Sequence, residues 1–192
     1  MNTWITSDTH FGHANIMDYC PWRRTWASSV EEHDHKLIEA WNAVVQPEDT
    51  VYHLGDFALV PRPRLVELRA QLKGSIILVR GNHDRSTTAM LASGFEEVAK
   101  SLFITCMSQK VWLATITLRH DPADFTPREA VAMDLLLHGH WHGDDHREKV
   151  TSLPEGARGK LVDVGIDARR DIAPALLHDV VATVMCRGPL RC

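Results

Sequence analysis

The stretch Leu135-Leu136-Leu137-His138-Gly139-His140-Trp141-His142 decides how this chain is read. A short apolar run bounded by Gly reads as a buried strand. Here it is followed at once by a His-x-His pair. The same grammar occurs three more times. Trp4-Ile5-Thr6 leads into Asp8-Thr9-His10, Val51-Tyr52-His53-Leu54 into Gly55-Asp56, and Ile76-Ile77-Leu78-Val79 into Gly81-Asn82-His83-Asp84. Strand ends on one edge of a sheet converge in space, so these carboxylates, imidazoles and the Asn amide are expected to meet. No Cys stands among them, and such a set of N and O donors suits hard and borderline metal ions. The pattern is that of a metalloenzyme.

Composition sets the frame. With 192 residues, 44% hydrophobic and 24% charged, the chain has the make-up of one globular domain spanning 1–192. A net charge of −4 argues against a protein that coats nucleic acid. Cys20, Cys106, Cys186 and Cys192 form no Cys-x-x-Cys pair and read as free thiols in a reducing cytosol. A strand is expected within three residues of Met1, which leaves no room for a signal peptide, and no apolar stretch approaches the roughly 20 residues of a membrane span. The expectation is a cytoplasmic protein without a membrane partner.

Element boundaries follow from periodicity. Ser29-Val30-Glu31-Glu32 has the form of a capping box, and Val30, Leu37, Ile38, Trp41, Val44 and Val45 recur at helical spacing, which predicts a helix over 30–45. Pro61-Arg62-Pro63 opens a second helix that Gly74 stops, and a short helix is expected at 87–92. The first half therefore reads βαβαβ, a parallel sheet with helices outside. The second half reads as a hairpin from 101–107 and 111–118, a helix over 126–133 with Thr126-Pro127 at its start, and strands at 135–138 and 160–164. Residues 175–186 fit either helix or strand. Antiparallel strands in this half point to a second sheet packed on the first.

Asp8 and His10 are two apart, as are His140 and His142, so on an extended segment each pair faces one side. Glycines beside them suit a backbone that turns sharply under an ion. A carboxylate such as Asp56 can bridge two cations, which sit about 3.5–4 Å apart in two-metal sites. Such a pair attracts a phosphoryl group.

The order Asp8-x-His10, Gly55-Asp56, Gly81-Asn82-His83-Asp84, His120 and Gly139-His140-x-His142 resembles the calcineurin-like metallophosphoesterase superfamily. Residues 160–174 and the opening Asp8-Thr9-His10-Phe11-Gly12-His13-Ala14-Asn15-Ile16 are similar to short bacterial and phage members. The resemblance implies an α/β fold, a four-layer αββα sandwich of two mixed β-sheets flanked by helices. It implies Asp8, His10 and His142 on one metal, Asn82, His120 and His140 on the other, and Asp56 between them. It also implies that His83 contacts the scissile phosphate and protonates the leaving oxygen, with Asp84 orienting that imidazole. The family pattern has a small residue before His120, whereas Arg119 stands here, a departure that bears on the shape of the pocket.

Other residues carry weaker signals. His13 reads equally as a phosphate contact or as a loop hydrogen-bonding group, and Arg85 as a phosphate contact or a helix-start ion pair. Arg23-Arg24, Arg62 and Arg64 read as solvated surface, and so do His33 and His35. His53 should point away from the site, His138 should be structural, and Trp141 should pack rather than stack on substrate.

The expected activity is hydrolysis of a phosphate ester P–O bond by a hydroxide held on two divalent ions. Mn²⁺ is the first expectation, while Fe, Zn or Ni suit the same donors. A phosphodiesterase on small or cyclic nucleotide-like substrates leads, with a phosphomonoesterase or a nuclease as alternatives from the same superfamily. A non-catalytic metal-fold scaffold is the alternative from another class. The expected partner is a small phosphorylated substrate rather than a nucleic acid polymer, selected by loops 11–27 and 143–159.

Overall fold

Strands form here where both faces of a short run can be buried. In Thr3–Thr6 (β1), Thr50–His53 (β2) and Ser75–Val79 (β3), the residues Trp4, Val51, Ile76 and Leu78 fall in one apolar core, while Ile5, Tyr52 and Val79 fall in another. That is the period of two of a strand covered on both sides. The structure, a computed structural model, describes residues 1–108, 111–144 and 160–187. Residues 109–110, 145–159 (with His146, in the stretch 143–159 named above) and 188–192 lie outside the described residues.

β1, β2 and β3 pair in parallel, in the register Trp4↔Val51↔Ile76. A fourth parallel strand, Glu97–Ala99 (β4), extends this sheet beyond β3, and Ala175–Leu176 (β9) closes its other edge antiparallel to β1. β4 was not foreseen, because three residues of Glu-Val-Ala carry no periodic signal. The second sheet has the order β5-β6-β7-β8, from Leu102–Ser108, Val111–Leu118, Leu135–His138 and Leu161–Asp163. Its β5–β6 pair is the expected hairpin, and β6–β7 and β7–β8 are parallel, so this sheet is mixed, as the resemblance implied.

Three cores place the layers. Trp41 and Leu37 of helix α2 (Val30–Val44) and Leu65 and Leu68 of α3 (Arg62–Gln71) cover the outer face of the first sheet. Between the sheets lie Ile5, Leu54, Val79, Ile116, Leu135 and Leu137. On the far side, Leu136 and Leu161 pack with Phe125, Ala130 and Trp141 under α5 (Pro127–Ala132), so Trp141 is a packing residue as expected. This is an α/β fold with two mixed sheets face to face and helices outside. Residues 175–186 resolve into β9 followed by α7 (Leu177–Arg187), whose Leu177 and Val181 plug the gap between the sheets. No helix among the described residues is long and apolar enough to cross a membrane.

The caps show how local sequence starts helices. Thr126 and Glu129 form a complete capping box on α5. On α2, Ser29 Oγ accepts from Glu32 N at 3.2 Å, but the Glu32 carboxylate reaches the N and Oγ of Ser28 at 2.8 and 2.6 Å, one residue earlier than the motif predicts.

β1, β2 and β3 run the same way, and so do β6, β7 and β8, so the carboxyl ends of both sets carry the residues singled out above. Ser7 and Gly165 bridge the two sets just beyond β1 and β8. Leu137, fully buried between the sheets, tests the packing of that layer. Leu137→Ala should cost about 2–5 kcal/mol in urea denaturation, and a loss under about 1 kcal/mol would show the intersheet core to be loosely packed.

Candidate metal centre

The turns after the strands are built on an uncommon backbone. Asp8, His10, Asp56, His140 and His142 have φ of 59°, 52°, 52°, 72° and 52°, and Arg170 is the one other non-Gly described residue with positive φ. Side chains make this region costly, by about 1–3 kcal/mol per residue, and it persists where surrounding structure enforces it. The pairs Asp8/His10 and His140/His142 therefore reach one side through left-handed turns, not through strand alternation as the spacing had suggested. Two glycines nearby serve close approach rather than a turn. A Cβ on Gly81 would lie 2.2 Å from Asp56 Oδ1, and one on Gly139 would lie 2.0 Å from Ser7 Oγ and 2.4 Å from Asp8 Oδ2.

Two donor clusters result. Ligand atoms of Asp8, His10 and His142 lie within 4.8 Å of one another, and so do those of Asp56, His120 and His140. Asn82 Oδ1 joins the second cluster, 2.9 Å from His120 Nε2. Asp56 Oδ2 stands between the clusters, 3.6 Å from His10 Nε2 and 3.3 Å from His120 Nε2. All seven residues expected as ligands from the motifs are thus brought together. Both ring nitrogens of His10 are buried without a hydrogen-bond partner among the described residues. A buried polar atom left unpaired is unusual and needs an occupant; this donor set fits two cations.

Two of the imidazoles are held through Nδ1, with the other nitrogen directed at the cluster. His120 Nδ1 donates to the Leu54 carbonyl at 2.8 Å and His142 Nδ1 to Asp167 Oδ2 at 2.7 Å, which turns each Nε2 toward the cluster. Burial alone would lower the His120 pKa, but the Asp56 hydrogen bond and the Asp8 and Asp56 charges lift it to about 9. Burial is likewise outweighed at His142, where the Asp167 hydrogen bond, with Cys20 and Asp8, lifts the ring to about 11. At Asp56, burial is overcome by the His120 hydrogen bond and charge, which hold the carboxyl below the usual range. Burial pushes the Asp8 carboxyl up and the His10 imidazole well down. Two imidazoles that hold protons so tightly mark a concentration of negative potential, and bound cations would replace those protons.

Of the residues expected to act on substrate, His83 sits at the rim. Its side chain is 41% exposed, with Nε2 3.9 Å from Asp56 Oδ2, and its backbone N donates to Asp56 Oδ1 at 2.9 Å. Asp84 makes no hydrogen bond or ion pair with the His83 ring, which corrects the expected carboxylate–imidazole pair. Its two oxygens instead accept from the backbone N of Asp56, Phe57 and Gly81 at 2.8–2.9 Å, locking the two turns together. With three backbone donors fixed on its two oxygens, it acts on loop geometry. The His13 ring lies 5.4 Å from His10 and 6.0 Å from His83, and its Nδ1 makes no hydrogen bond, so it faces the site instead of bonding within its own loop. Arg85 is exposed and donates to the Val60 carbonyl at 2.8 Å, in place of a helix-start ion pair.

Two surface assignments are overturned. Arg23 is fully buried. It forks onto Asp167 at 3.0 and 2.6 Å, donates to the carbonyls of Asp8 at 2.6 Å and Thr9 at 3.0 Å, and donates to His33 Nε2 at 2.9 Å. His33 is also buried, stacked on Trp26, and its Nδ1 faces Asp34 Oδ1 at 3.2 Å. An Asp34–His33–Arg23–Asp167–His142 chain therefore runs from α2 to the first cluster. The Arg23–Asp167 partnership spans 144 residues, so no local pattern announces it. Arg24 and His35 stay exposed and pair with Asp18 and Glu39. His53 points into the helix-covered core, stacked on Trp41 with Nε2 on Thr9 Oγ1, and His138 is buried against Trp141. Cys20 forms a third grouping with His142 and Asp167, whose facing atoms are already bonded to each other.

With this geometry in hand, comparison identifies the family. Residues 1–162 match the model of the calcineurin-like phosphoesterase superfamily domain, and the chain belongs to that superfamily. It is 46% identical over 84 residues to an uncharacterized protein of Methanocaldococcus jannaschii, and 40% identical over 86 residues to the gene 66 protein of Mycobacterium phage L5. Each match covers 43% of this chain and less than half of the relative, 46% and 40% respectively. The gene 66 protein of Mycobacterium phage D29 is 30% identical over 90% of this chain and 92% of its own length. A crystal structure of a protein of unknown function from Aquifex aeolicus superposes with a TM-score of 0.69 at 25% identity, covering 95% of this chain and 98% of that one.

The buried Arg23–Asp167 pair generates a test. Removing one partner of a buried pair strands the other charge and typically costs about 3–5 kcal/mol. Arg23→Ala should lose that much in urea denaturation of metal-free protein at pH 7. Burial would raise the Asp167 carboxyl, but hydrogen bonds from His142 and Arg23 lower it to about 2, below its unfolded value of 3.8. A depressed carboxyl adds stability above the unfolded pKa that is lost as pH falls through the folded one. Wild type should therefore lose stability between about pH 4 and pH 2 more steeply than Asp167→Asn. Equal slopes would show that the pair does not stabilise the fold.

Proposed function

Proceeding from membership of the calcineurin-like phosphoesterases, we propose that this chain is a dinuclear metal-dependent phosphodiesterase acting on small or cyclic nucleotide-like diesters. The observation that carries the reading is Asp56 Oδ2 standing between two His-rich donor clusters. Asp8, His10 and His142 would hold one ion, Asn82, His120 and His140 the other, with Asp56 shared. Two divalent cations at such donors supply Lewis acidity and a nucleophile at neutral pH. Mn²⁺ suits a set of carboxylate, amide and imidazole donors with no thiolate among the seven.

The protein's own groups account for the rest. His83, on the rim and open to solvent, donates a proton to the departing oxygen. Its position is set by the backbone bond to Asp56 and by Asp84 clamping Gly81, so Asp84 acts by holding the loop. His13, half-buried across from His83, is placed to meet a non-bridging phosphate oxygen. Side-chain exposures of 41% for His83 and 38% for His140 leave the site open enough for both arms of a diester. The net charge of −4 disfavours a long polyanion as substrate. Cys20 and Cys106 are buried free thiols, which fits residence in a reducing cytosol.

The test is a Mn²⁺-reconstituted comparison of an aryl phosphodiester, the corresponding monoester and duplex or single-stranded nucleic acid. The diester should be cleaved fastest, with little salt dependence. Faster, salt-sensitive cleavage of polymer would favour a nuclease, preference for the monoester a phosphatase, and no turnover of any substrate a non-catalytic scaffold. His83→Gln should lower turnover by roughly 10²–10⁴-fold without loss of metal, more for alkyl than for activated aryl leaving groups. Unchanged turnover would remove His83 from the reaction.

A further inference from the structure

Beside the second cluster opens a cavity of about 330 Å³, lined on the cluster side by Asn82, His120 and His140 and elsewhere by Arg80, Lys100 and Arg119. The three cations come from three segments. Arg80 and Lys100 stand one step beyond the paired ends of β3 and β4, where Val79 is in register with Ala99 and Arg80 N donates to the Ala99 carbonyl at 2.8 Å. Adjacent strand ends thus bring both residues to the wall of one cavity. Neither side chain has an ion-pair or hydrogen-bond partner among the described residues, and the Arg80 Nε is buried and unpaired. Arg119 differs. It pairs with Glu129 at 2.6 Å and lies over the Phe125 ring, so it is a fixed wall, though its Nε too is buried without a partner. The lining also holds two carboxylates, and Lys100 is exposed. Asp121 accepts from Ala123 N and faces His140 at 3.8 Å, and Asp124 is exposed.

Resting on the phosphodiesterase reading, we propose that this cavity is a subsite for a second phosphoryl group, carried on one arm of the diester and held by Arg80 and Lys100. An oxyanion in the cavity would give both cations of its wall a counter-charge. A neutral arm would leave both cations without one. The favoured substrate is then a small diester with a terminal phosphate on one arm, and Arg119, where the family pattern has a small residue, closes the far side of the cavity.

The test uses two aryl alkyl phosphodiesters that differ only at the alkyl end, one ending in a hydroxyl and one in a carbon-linked phosphonate that cannot itself be hydrolysed. With Mn²⁺-loaded enzyme the phosphonate diester should have a kcat/KM about 10- to 100-fold higher, mostly through KM, the gain expected of charged hydrogen bonds. That ratio should fall toward one in Lys100→Gln, return in Lys100→Arg, and fall also in Arg80→Gln if that variant folds. A ratio near one in wild type, or a ratio that Lys100→Gln leaves intact, overturns the subsite. If neither diester is cleaved, it is the phosphodiesterase reading that fails. The subsite is then decided by calorimetric titration with the hydroxyalkyl phosphonate alone, whose binding must weaken about tenfold or more in Lys100→Gln to sustain it and overturns it if unchanged.

Discussion

The guanidinium of Arg23 is the constraint on which the site's architecture depends. It makes five hydrogen bonds, to Asp167, to the Asp8 and Thr9 carbonyls and to His33, with none of its surface exposed. A buried ion pair seldom adds net stability over an apolar substitute, because desolvation offsets attraction. What it adds here is geometry. The Asp8-Thr9-His10 segment must hold two residues in the left-handed region, and two of the bonds grip carbonyls within that segment. Through Asp167 the same group fixes the ring of His142, which reaches the first cluster from the other sheet.

Topology supplies the rest of the convergence. Parallel strands in each sheet deliver their carboxyl ends to one edge, and the packing of Ile5, Leu54 and Val79 against Ile116, Leu135 and Leu137 aligns the two edges. Asp8 Oδ1 and Oδ2 accept from His140 N at 3.1 and 3.0 Å, which ties the turn after β1 to the turn after β7. Gly81 and Gly139 allow these turns to approach within distances that any side chain would block. The cost of left-handed backbone at five donor positions is thus borne by the intersheet core, a separation of duties common at functional sites.

Much of this was legible in the sequence, and the reason differs from part to part. The donors sit directly after apolar runs, so strand ends and ligand positions were read together, and the capping box at Thr126 and Glu129 marked a helix start. β4 was missed because three residues carry no period. Arg23 and His33 looked like solvated surface because their partners, Asp167 and each other, meet only in the folded chain. Asp84 was placed correctly but given the wrong contact, since a carboxylate next to a His suggests a pair, whereas the tight turn aims it at three backbone N–H groups. The left-handed φ values are likewise invisible to a two-residue spacing rule.

The central claim is that two cations share Asp56. Anomalous diffraction from crystals of Mn²⁺-reconstituted protein, read together with elemental analysis of the same preparation, tests it most directly. The account requires two peaks per chain, one among Asp8, His10 and His142 and one among Asn82, His120 and His140, both touching Asp56 and about 3.5–4 Å apart. Asp56→Asn should weaken both together. A single fully occupied peak in active protein, or two peaks of which only one is sensitive to Asp56→Asn, would contradict it.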